Sequence, residues 1–208
     1  MSDRFVVIGG DAAGLSAASK ARREAPGREV IVFEKGQWVS YAHCGMPYFV
    51  KGEVEGLDDL LSLSPAEIEA RGIDLRRGHE AVAIDTAAGT VTVDGADGLE
   101  TLGYGDLLVA TGARAVTGPI EGSELAGVHT MHGLDSAAAV RAHLLDPTAD
   151  ARAAVGGEEF VDEALVARYA ARDPPSTVAI VGGGYVGVEM AEAFSAHDLD
   201  VHLFQRGD

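Results

Sequence analysis

Cys44 is the residue best suited to redox chemistry, and it is the chain's single cysteine. One cysteine excludes an internal disulfide framework, a CxxC pair and a multi-cysteine metal site. Gly45 leaves the sulfur approachable, and Pro47 suits the first turn of a helix, which predicts Cys44 at the positive end of that helix. A helix start and the neighbouring His43 both favour the nucleophilic thiolate. A lone cysteine is most often a buried core residue, so the redox interpretation depends on the motifs around it.

Two glycine-rich turns, each between a strand and a helix, predict nucleotide binding. Such a turn presents backbone N–H groups to a pyrophosphate at the start of a helix. In the first turn Gly9 and Gly14 have the required spacing, but Asp11 stands where the middle glycine belongs. We therefore expect the Asp11 side chain to point away from a phosphate. Glu34 ends the next strand, about 20 residues further on, where an acid binds ribose hydroxyls.

The second turn matches the glycine pattern strictly, with Gly182, Gly184 and Gly187 directly after a strand. The acid expected at the end of its second strand is missing, and Gln205 followed by Arg206 stands there instead. A carboxylate would repel a 2′-phosphate, whereas glutamine with arginine accepts it. The sequence therefore favours NADPH over NADH.

The elements around these turns predict two βαβ units in an α/β protein, and hence two nucleotide sites. Strands are predicted at 4–8, 30–33, 81–85, 90–94, 107–110, 178–181 and 201–204, and helices at 15–24 and 188–197. Residues 146–175 are acidic and bounded by prolines, which predicts an exposed, partly helical insertion joining two domains. The predicted division is 1–145, a linker at 146–175, and 176–208.

Composition limits the partners and the location. The formal charge of −17 argues against nucleic acid, because phosphates would be repelled over most of the surface. No apolar stretch approaches the ~20 residues that cross a bilayer, and no signal peptide is recognisable, so a cytoplasmic location without membrane contact is predicted. Dispersed acid with few lysines suggests a protein adapted to concentrated salt. The histidines show no metal-ligand spacing, and we expect no metal.

Four segments carry a family resemblance: VVIGGDAAGLSAASKARR, IVFEKGQWVSYAHCGMPYFV, LLVATGA and VAIVGGGYVGVEMAEAF. With these segments the chain resembles the coenzyme A-disulfide reductase branch of the pyridine nucleotide-disulfide oxidoreductases, which also holds NADH oxidases and peroxidases. The resemblance implies an FAD/NAD(P)-binding, Rossmann-like three-layer fold, truncated in the second nucleotide-binding domain. It also implies FAD in the domain at 1–145 and NAD(P)H in the domain that starts at 176. The resemblance further implies a homodimeric family, and we expect its dimerisation domain to lie outside this sequence.

The resemblance assigns residues to two kinds of site. Reduced flavin would pass electrons to a disulfide involving Cys44, and the substrate would be coenzyme A disulfide or another small disulfide. The residues implied for FAD are Gly9, Gly10, Ala13, Gly14, Glu34, Lys35, Ala81, Val82, Thr111, Gly112 and Ala113. Those implied for NAD(P)H are Gly182, Gly184, Gly187, Gln205 and Arg206. Those implied for coenzyme A are Ser16, Lys20, Arg23, Ser40 and His43, where positive side chains fit an anionic ligand.

Three other interpretations stay open at this point. An NADH oxidase or peroxidase would cycle Cys44 through a sulfenic acid. A truncated, non-catalytic nucleotide-binding fragment would need a second chain for turnover. A ferredoxin- or rubredoxin-type reductase would share both nucleotide folds but would not need Cys44.

Overall fold

The computed structural model describes residues 3–145, 164 and 172–207. In chain order its helices and strands are β1 (Phe5–Ile8), α1 (Ala12–Glu24), β2 (Val30–Glu34), α2 (Met46–Lys51), α3 (Pro65–Ala70), β3 (Asp74–Arg77), β4 (Glu80–Asp85), β5 (Thr90–Gly95), β6 (Gly98–Gly103), β7 (Asp106–Val109), α4 (Leu134–Leu144), β8 (Thr177–Val181), α5 (Tyr185–Ser195) and β9 (Asp200–Phe204). Contacts divide the chain into one compact unit of residues 1–41 and 61–113 and a second of residues 42–60 and 114–208.

The first unit has three layers around a parallel sheet in the order β3-β2-β1-β7. Successive side chains of a strand point to opposite faces, so β1 contributes to both cores. Val7 packs with Leu15 of α1 and Ile68 of α3 on one face. On the other face Val6 and Ile8 pack on the antiparallel sheet of β4, β5 and β6. Burial on both faces explains why β1 and β2 are continuous apolar runs.

The second unit contains the helix that follows Cys44 and the second glycine turn. β8 and β9 pair in parallel, from Thr177↔Asp200 to Val181↔Phe204. The helix α2 packs against both α4 and α5. Val181 and Phe204 are 74% and 56% exposed, so apolar side chains of this two-stranded sheet are largely uncovered.

The Rossmann-like α/β fold with three layers is confirmed, and each predicted strand and helix is present with shifted ends. The helix α1 begins at Ala12, three residues earlier than predicted, because the glycine turn itself supplies its first turn. Four elements were not predicted: α3, β3, β6 and α4. Most of the predicted linker at 146–175 lies outside the described residues, so the domain division stays a prediction. Among the residues that the structure describes, none forms a helix with the length and apolar character needed to span a bilayer.

Candidate functional site

The first glycine turn brings the start of α1 against the end of β1. Gly9 has a φ of +108°, which favours glycine. A Cβ on Gly14 would lie 1.8 Å from the Gly9 carbonyl oxygen, so only glycine fits there. The first i→i−4 hydrogen bond of α1 runs from the Leu15 N–H to the Asp11 oxygen at 2.9 Å. The N–H groups before Leu15 therefore have no acceptor within the helix, as a pyrophosphate site requires.

The strand-end carboxylate of Glu34 is held against this turn. Its Oε2 accepts the Gly10 N–H at 2.7 Å, and its Oε1 accepts the Gly36 N–H at 2.7 Å. An ionised carboxylate has about four acceptor positions. Two positions therefore stay available for the hydroxyls of a ribose, and the residues of this turn fit the adenosine half of a dinucleotide.

The second glycine turn repeats this geometry. A Cβ on Gly187 would lie 1.9 Å from the Gly182 oxygen, and Gly182 has a φ of +114°. The Gln205 Oε1 accepts the Gly183 N–H at 2.6 Å, as Glu34 does for Gly10. Gly184 caps α5, and a Cβ built on it would meet nothing within 4 Å. An amide therefore occupies the strand-end position that a carboxylate occupies in the first turn.

The other residues implied for FAD lie on segments next to the first turn. A β-bulge between Ala81 and Ala83 leaves Val82 without a paired residue in β5. The Lys35 Nζ contacts the Glu80 Oε1 at 2.7 Å. Thr111 follows Ala110, whose carbonyl oxygen would be 2.2 Å from a Cβ on Gly9. Gly112 has a φ of +62° in the exposed segment after β7, which also contains Ala113.

A cleft of about 430 Å³ lies beside the first glycine turn, entirely within the first unit. Two arginines and four serines dominate its polar lining. The lining residues are Asp11, Ala12, Leu15, Ser16, Ser19, Arg23, Ser40, Tyr41, Ser62, Leu63 and Arg71. The cleft thus offers two guanidinium groups and several hydroxyls, the donors that bind phosphate oxygens.

Backbone hydrogen bonds fix the wall of the cleft to the glycine turn. The Asp11 Oδ1 accepts the Tyr41 N–H at 3.3 Å, so this carboxylate is directed to the neighbouring loop. Ser40 donates its N–H to the Gly10 oxygen at 3.2 Å and accepts from the Ser62 N–H at 2.6 Å. Ser40 adopts a φ of +52°, a left-handed conformation that is strained for a residue other than glycine.

The cleft brings together some of the residues implied for coenzyme A and leaves out others. Ser16, Arg23 and Ser40 line it together. Lys20 is not a lining residue and contacts Glu24 at 2.7 Å instead. His43 belongs to the second unit.

Sequence reasoning missed Ser19, Ser62 and Arg71, which also line the cleft. The motif Ser64-Pro65-Ala66-Glu67, a capping box, was a usable signal for the helix α3, whose C-cap is Arg71.

Cys44 is exposed in a short 3-10 helix, His43–Gly45, that leads into α2. Gly45 caps α2, and Pro47 stands in its first turn, as predicted. A Cβ on Gly45 would be 2.4 Å from the Leu60 Cδ2, so glycine allows this turn to pack on Leu60. The His43 ring lies 6.5 Å from that of His132. Within the described part of the chain no three His, Cys, Asp or Glu side chains are placed to hold a metal ion.

These observations define an α/β protein with two glycine-rich turns of the kind that binds dinucleotides, and with an exposed cysteine between them in sequence. The family model for pyridine nucleotide-disulphide oxidoreductases matches residues 3–208, and the chain belongs to this family.

Known relatives point to the same branch of the family. The chain is 37% identical over 210 residues to the NAD(P)H coenzyme A polysulfide/persulfide reductase of Pyrococcus horikoshii, which covers 100% of this chain and 40% of that protein. It is 28% identical over 200 residues to an NADH oxidase of Methanocaldococcus jannaschii, covering 95% of this chain and 39% of that protein. The crystal structure of reduced Bacillus anthracis CoADR-RHD superposes with a TM-score of 0.81 at 26% identity, covering 99% of this chain and 33% of that one. The chain thus spans about 40% of the length of the curated relatives it matches.

Proposed function

We propose that this chain is part of an FAD- and NAD(P)H-dependent oxidoreductase that reduces coenzyme A disulfide or a related coenzyme A persulfide through Cys44. The observation that carries the proposal is the cleft lined by Arg23, Arg71 and four serines beside the first glycine turn. The name of the Pyrococcus relative, a coenzyme A polysulfide/persulfide reductase, supports this substrate class.

The two glycine turns are assigned to the two cofactors. The first turn, with Gly9, Gly14 and Glu34, would hold the adenosine and pyrophosphate of FAD. The second turn, with Gly182 to Gly187 and Gln205, would hold NADPH. FAD, when bound, supplies the transfer of two electrons from the reduced pyridine nucleotide to a disulfide. The residues of this chain bind and orient both groups.

The cleft matches the charge of coenzyme A, whose nucleotide end carries three phosphate groups. The net charge of −17 would otherwise repel such an anion from most of the surface. The guanidinium groups of Arg23 on α1 and of Arg71 at the C-cap of α3 therefore supply the local positive charge that attracts the phosphates. Each bond from a guanidinium to a phosphate is charge-assisted, and this kind of hydrogen bond contributes about 1.5–3 kcal/mol.

Cys44 follows the lining residue Tyr41 by only three residues along the chain. Fully extended, three residues span at most ~11 Å, so covalent connectivity alone keeps the cysteine within reach of a coenzyme A chain. The Cys44 thiolate attacks one sulfur of the substrate disulfide. The substrate S–S bond breaks, a Cys44–sulfur bond forms, and the second thiolate leaves and takes up a proton. Two electrons and one proton then cleave the mixed disulfide and restore the Cys44 thiolate with free coenzyme A.

The binding test compares three variants of the 208-residue chain by calorimetric titration with coenzyme A. Arg23→Gln and Arg71→Gln should each weaken binding about 10-fold or more, because each removes a charge-assisted bond. Lys20→Gln is the matched control on the same helix. It should leave the affinity unchanged, because Lys20 lies outside the lining. Equal effects of all three variants would show a diffuse charge effect and would contradict the assigned cleft.

The NADPH preference rests on Gln205 and is tested by Gln205→Glu. The variant should bind NADH better than NADPH in a fluorescence titration, because a carboxylate accepts the ribose hydroxyls and repels the 2′-phosphate. Glu34→Gln is the comparison at the first turn and should leave the pyridine nucleotide preference unchanged. An unaltered preference in Gln205→Glu would refute the assignment.

The M. jannaschii relative keeps a peroxide- or oxygen-reducing NADH oxidase as the second candidate. The two candidates differ in their use of the cleft. Coenzyme A protection of Cys44 against alkylation by iodoacetamide supports the reductase. The oxidase is supported if coenzyme A leaves the alkylation rate unchanged and peroxide converts Cys44 to a sulfenic acid.

A further inference from the structure

We propose that Arg141 is a positioning residue for Cys44: its guanidinium, reaching from α4, holds the far end of the helix that carries the cysteine turn. The inference rests on the proposed function only for the redox duty of Cys44. The mechanical role depends on contacts within the second unit alone.

The helix α2 is short, and its C-terminal carbonyls need partners from outside the helix. Gly52 ends it in a left-handed conformation with a φ of +95°. The Arg141 Nη1 donates to the carbonyl oxygen of Phe49 within α2 and to that of Val54 beyond the turn, the second at 2.9 Å. One guanidinium therefore closes the turn at the end of α2 from both sides.

The surroundings fix the guanidinium itself. It lies 4.5 Å from the centroid of the Phe49 ring, a distance typical of a cation–π contact, and Phe49 is fully buried. Burial lowers the pKa of Arg141. A cation at this position is electrostatically favourable, because the C-terminus of a helix carries partial negative charge. Both bonds come from one nitrogen, Nη1, whose two N–H groups have fixed directions in the guanidinium plane. The freely rotating ammonium of lysine has no such fixed directions.

A second hold on α2 comes from α5, the helix of the second glycine turn. The His197 Nε2 contacts the Val50 oxygen at 2.7 Å, and the Lys51 Nζ contacts the Glu192 Oε1 at 2.9 Å. The Lys51 ammonium also contacts Glu53 at 2.7 Å, and the hydrogen bonds to Glu53 and Glu192 raise the pKa of Lys51. These exposed ion pairs contribute little on their own. Backbone N–H groups of Gly52, Glu53 and Val54 also bond to the Tyr48 oxygen. The half-buried Arg141 adds to these bonds a side-chain link between Phe49 and Val54.

Cys44 depends on α2 for its position because its own side chain is exposed and does not anchor it. It lies one residue before the cap Gly45. The turn is also held by the Gly45 N–H, which donates to the Ala42 oxygen at 2.9 Å, and by the Ala42 N–H, which donates to the Leu60 oxygen at 2.8 Å. A helix of six residues is about 9 Å long, so a tilt of roughly 10° at its C-terminal end moves the cysteine turn by roughly 1.5 Å. A displacement of that size can lower the rate of a positioned reaction about 100-fold.

Because the chain has one cysteine, a nitroxide label attached to Cys44 in the 208-residue chain reports on this turn without background. In Arg141→Met the label should show a several-fold shorter rotational correlation time than in the parent chain. Arg141→Lys should be intermediate, since lysine restores the charge but not the fixed N–H directions of the guanidinium. Arg76→Met is the matched control, because Arg76 also stacks on a buried phenylalanine, Phe33, at 5.5 Å. It should leave the label unchanged.

Circular dichroism and amide exchange establish that each variant folds. A label equally immobile in a folded Arg141→Met chain overturns the proposal. Failure of every Arg141 variant to fold overturns it as well, since Arg141 would then act in folding and not in positioning. The measurement uses no flavin, nucleotide or disulfide. Absence of reductase activity would therefore count against the proposed function and leave this result unaffected.

Discussion

At the scale of single residues, the two glycine turns show how one backbone contact fixes a ligand site. Gly14 lies so close to Gly9 that a side chain has no room. Their spacing was predictable from sequence, because steric exclusion leaves only one residue type. The places of Glu34 beside the first turn and of Gln205 beside the second were also predictable, since a strand-end position has a fixed distance from the turn.

Gly14→Ala should therefore destabilise the first unit. The added methyl group would collide with the Gly9 carbonyl oxygen, and overpacking of this kind costs about 1–3 kcal/mol. Urea unfolding followed by circular dichroism measures the loss. Gly27→Ala is the control, because a Cβ there meets nothing within 4 Å. It should leave the free energy of unfolding unchanged or raise it by about 0.4–1 kcal/mol through the unfolded state. Equal losses in both variants would contradict the steric argument.

At the scale of elements, the apolar strands and the alanine-rich α1 were predictable because their sequences are strongly patterned. Three of the elements missed, α3, β3 and β6, have polar or mixed sequences, whereas α4 is alanine-rich and its composition was a usable signal. The strand β3 is Asp-Leu-Arg-Arg, and only its place beside β2 makes it a strand. The cleft was missed in part for a related reason: Ser62 and Arg71 reach α1 only through the folded path of the chain. No local pattern reveals such a long-range approach.

The helix α3 depends on its capping box, and Arg71 of the cleft is its C-cap residue. Ser64→Ala should destabilise the chain by about 0.5–2 kcal/mol, the usual loss for a missing N-cap. It should also weaken coenzyme A binding, because α3 places Arg71. Ser64→Thr keeps a capping hydroxyl and should behave like the parent in thermal unfolding and in calorimetry. If the destabilised Ser64→Ala chain bound coenzyme A with normal affinity, α3 would not be what places Arg71 in the cleft.

The same cap makes one acid titrate abnormally. Hydrogen bonds from the Ser64 N–H and hydroxyl hold the pKa of Glu67 below its ordinary value. A depressed carboxyl pKa stabilises the folded state above the unfolded pKa, and this stabilisation is lost as the pH falls through the folded value.

Two histidines join the segment before α4 to α4 itself. The His129 Nε2 lies 3.2 Å from the His143 Nδ1, and burial, with a smaller effect of His143, lowers the pKa of His129 to about 4. Burial, followed by the charge of Arg172, lowers the pKa of His143 as well. The unfolded chain therefore binds more protons than the folded chain between about pH 6.5 and pH 4.

The free energy of unfolding should fall as the pH is lowered through that window. The part due to His129 should be about 1–2 kcal/mol, less than the full shift at 1.36 kcal/mol per unit because solvent screens a partly exposed ring. Urea titrations at pH 7, 5.5 and 4 measure it. His129→Gln should flatten the profile, and His202→Gln, an exposed histidine near Asp200, serves as the control. A profile unchanged by His129→Gln would refute the assignment.

At the scale of the whole molecule, the charge of −17 opposes compaction through self-repulsion. The melting temperature should rise when NaCl is raised from about 0.1 M to 1 M, because the Debye length shrinks from about 10 Å to 3 Å. Weakening of exposed pairs such as Lys20–Glu24 opposes this rise only slightly. Calorimetry with sucrose as an uncharged control separates screening from exclusion effects. A flat or falling melting temperature would remove the support for adaptation to salt.

Because Ser40 has a left-handed backbone conformation, thermal stability and ligand binding make opposite demands on this residue of the cleft wall. Glycine adopts a φ of +52° without strain, so a search for heat-resistant variants should recover Ser40→Gly. That change deletes a hydroxyl from the cleft. Laboratory evolution under thermal selection alone would therefore weaken ligand binding at this wall of the cleft. A screen that also selects for ligand binding would keep the serine.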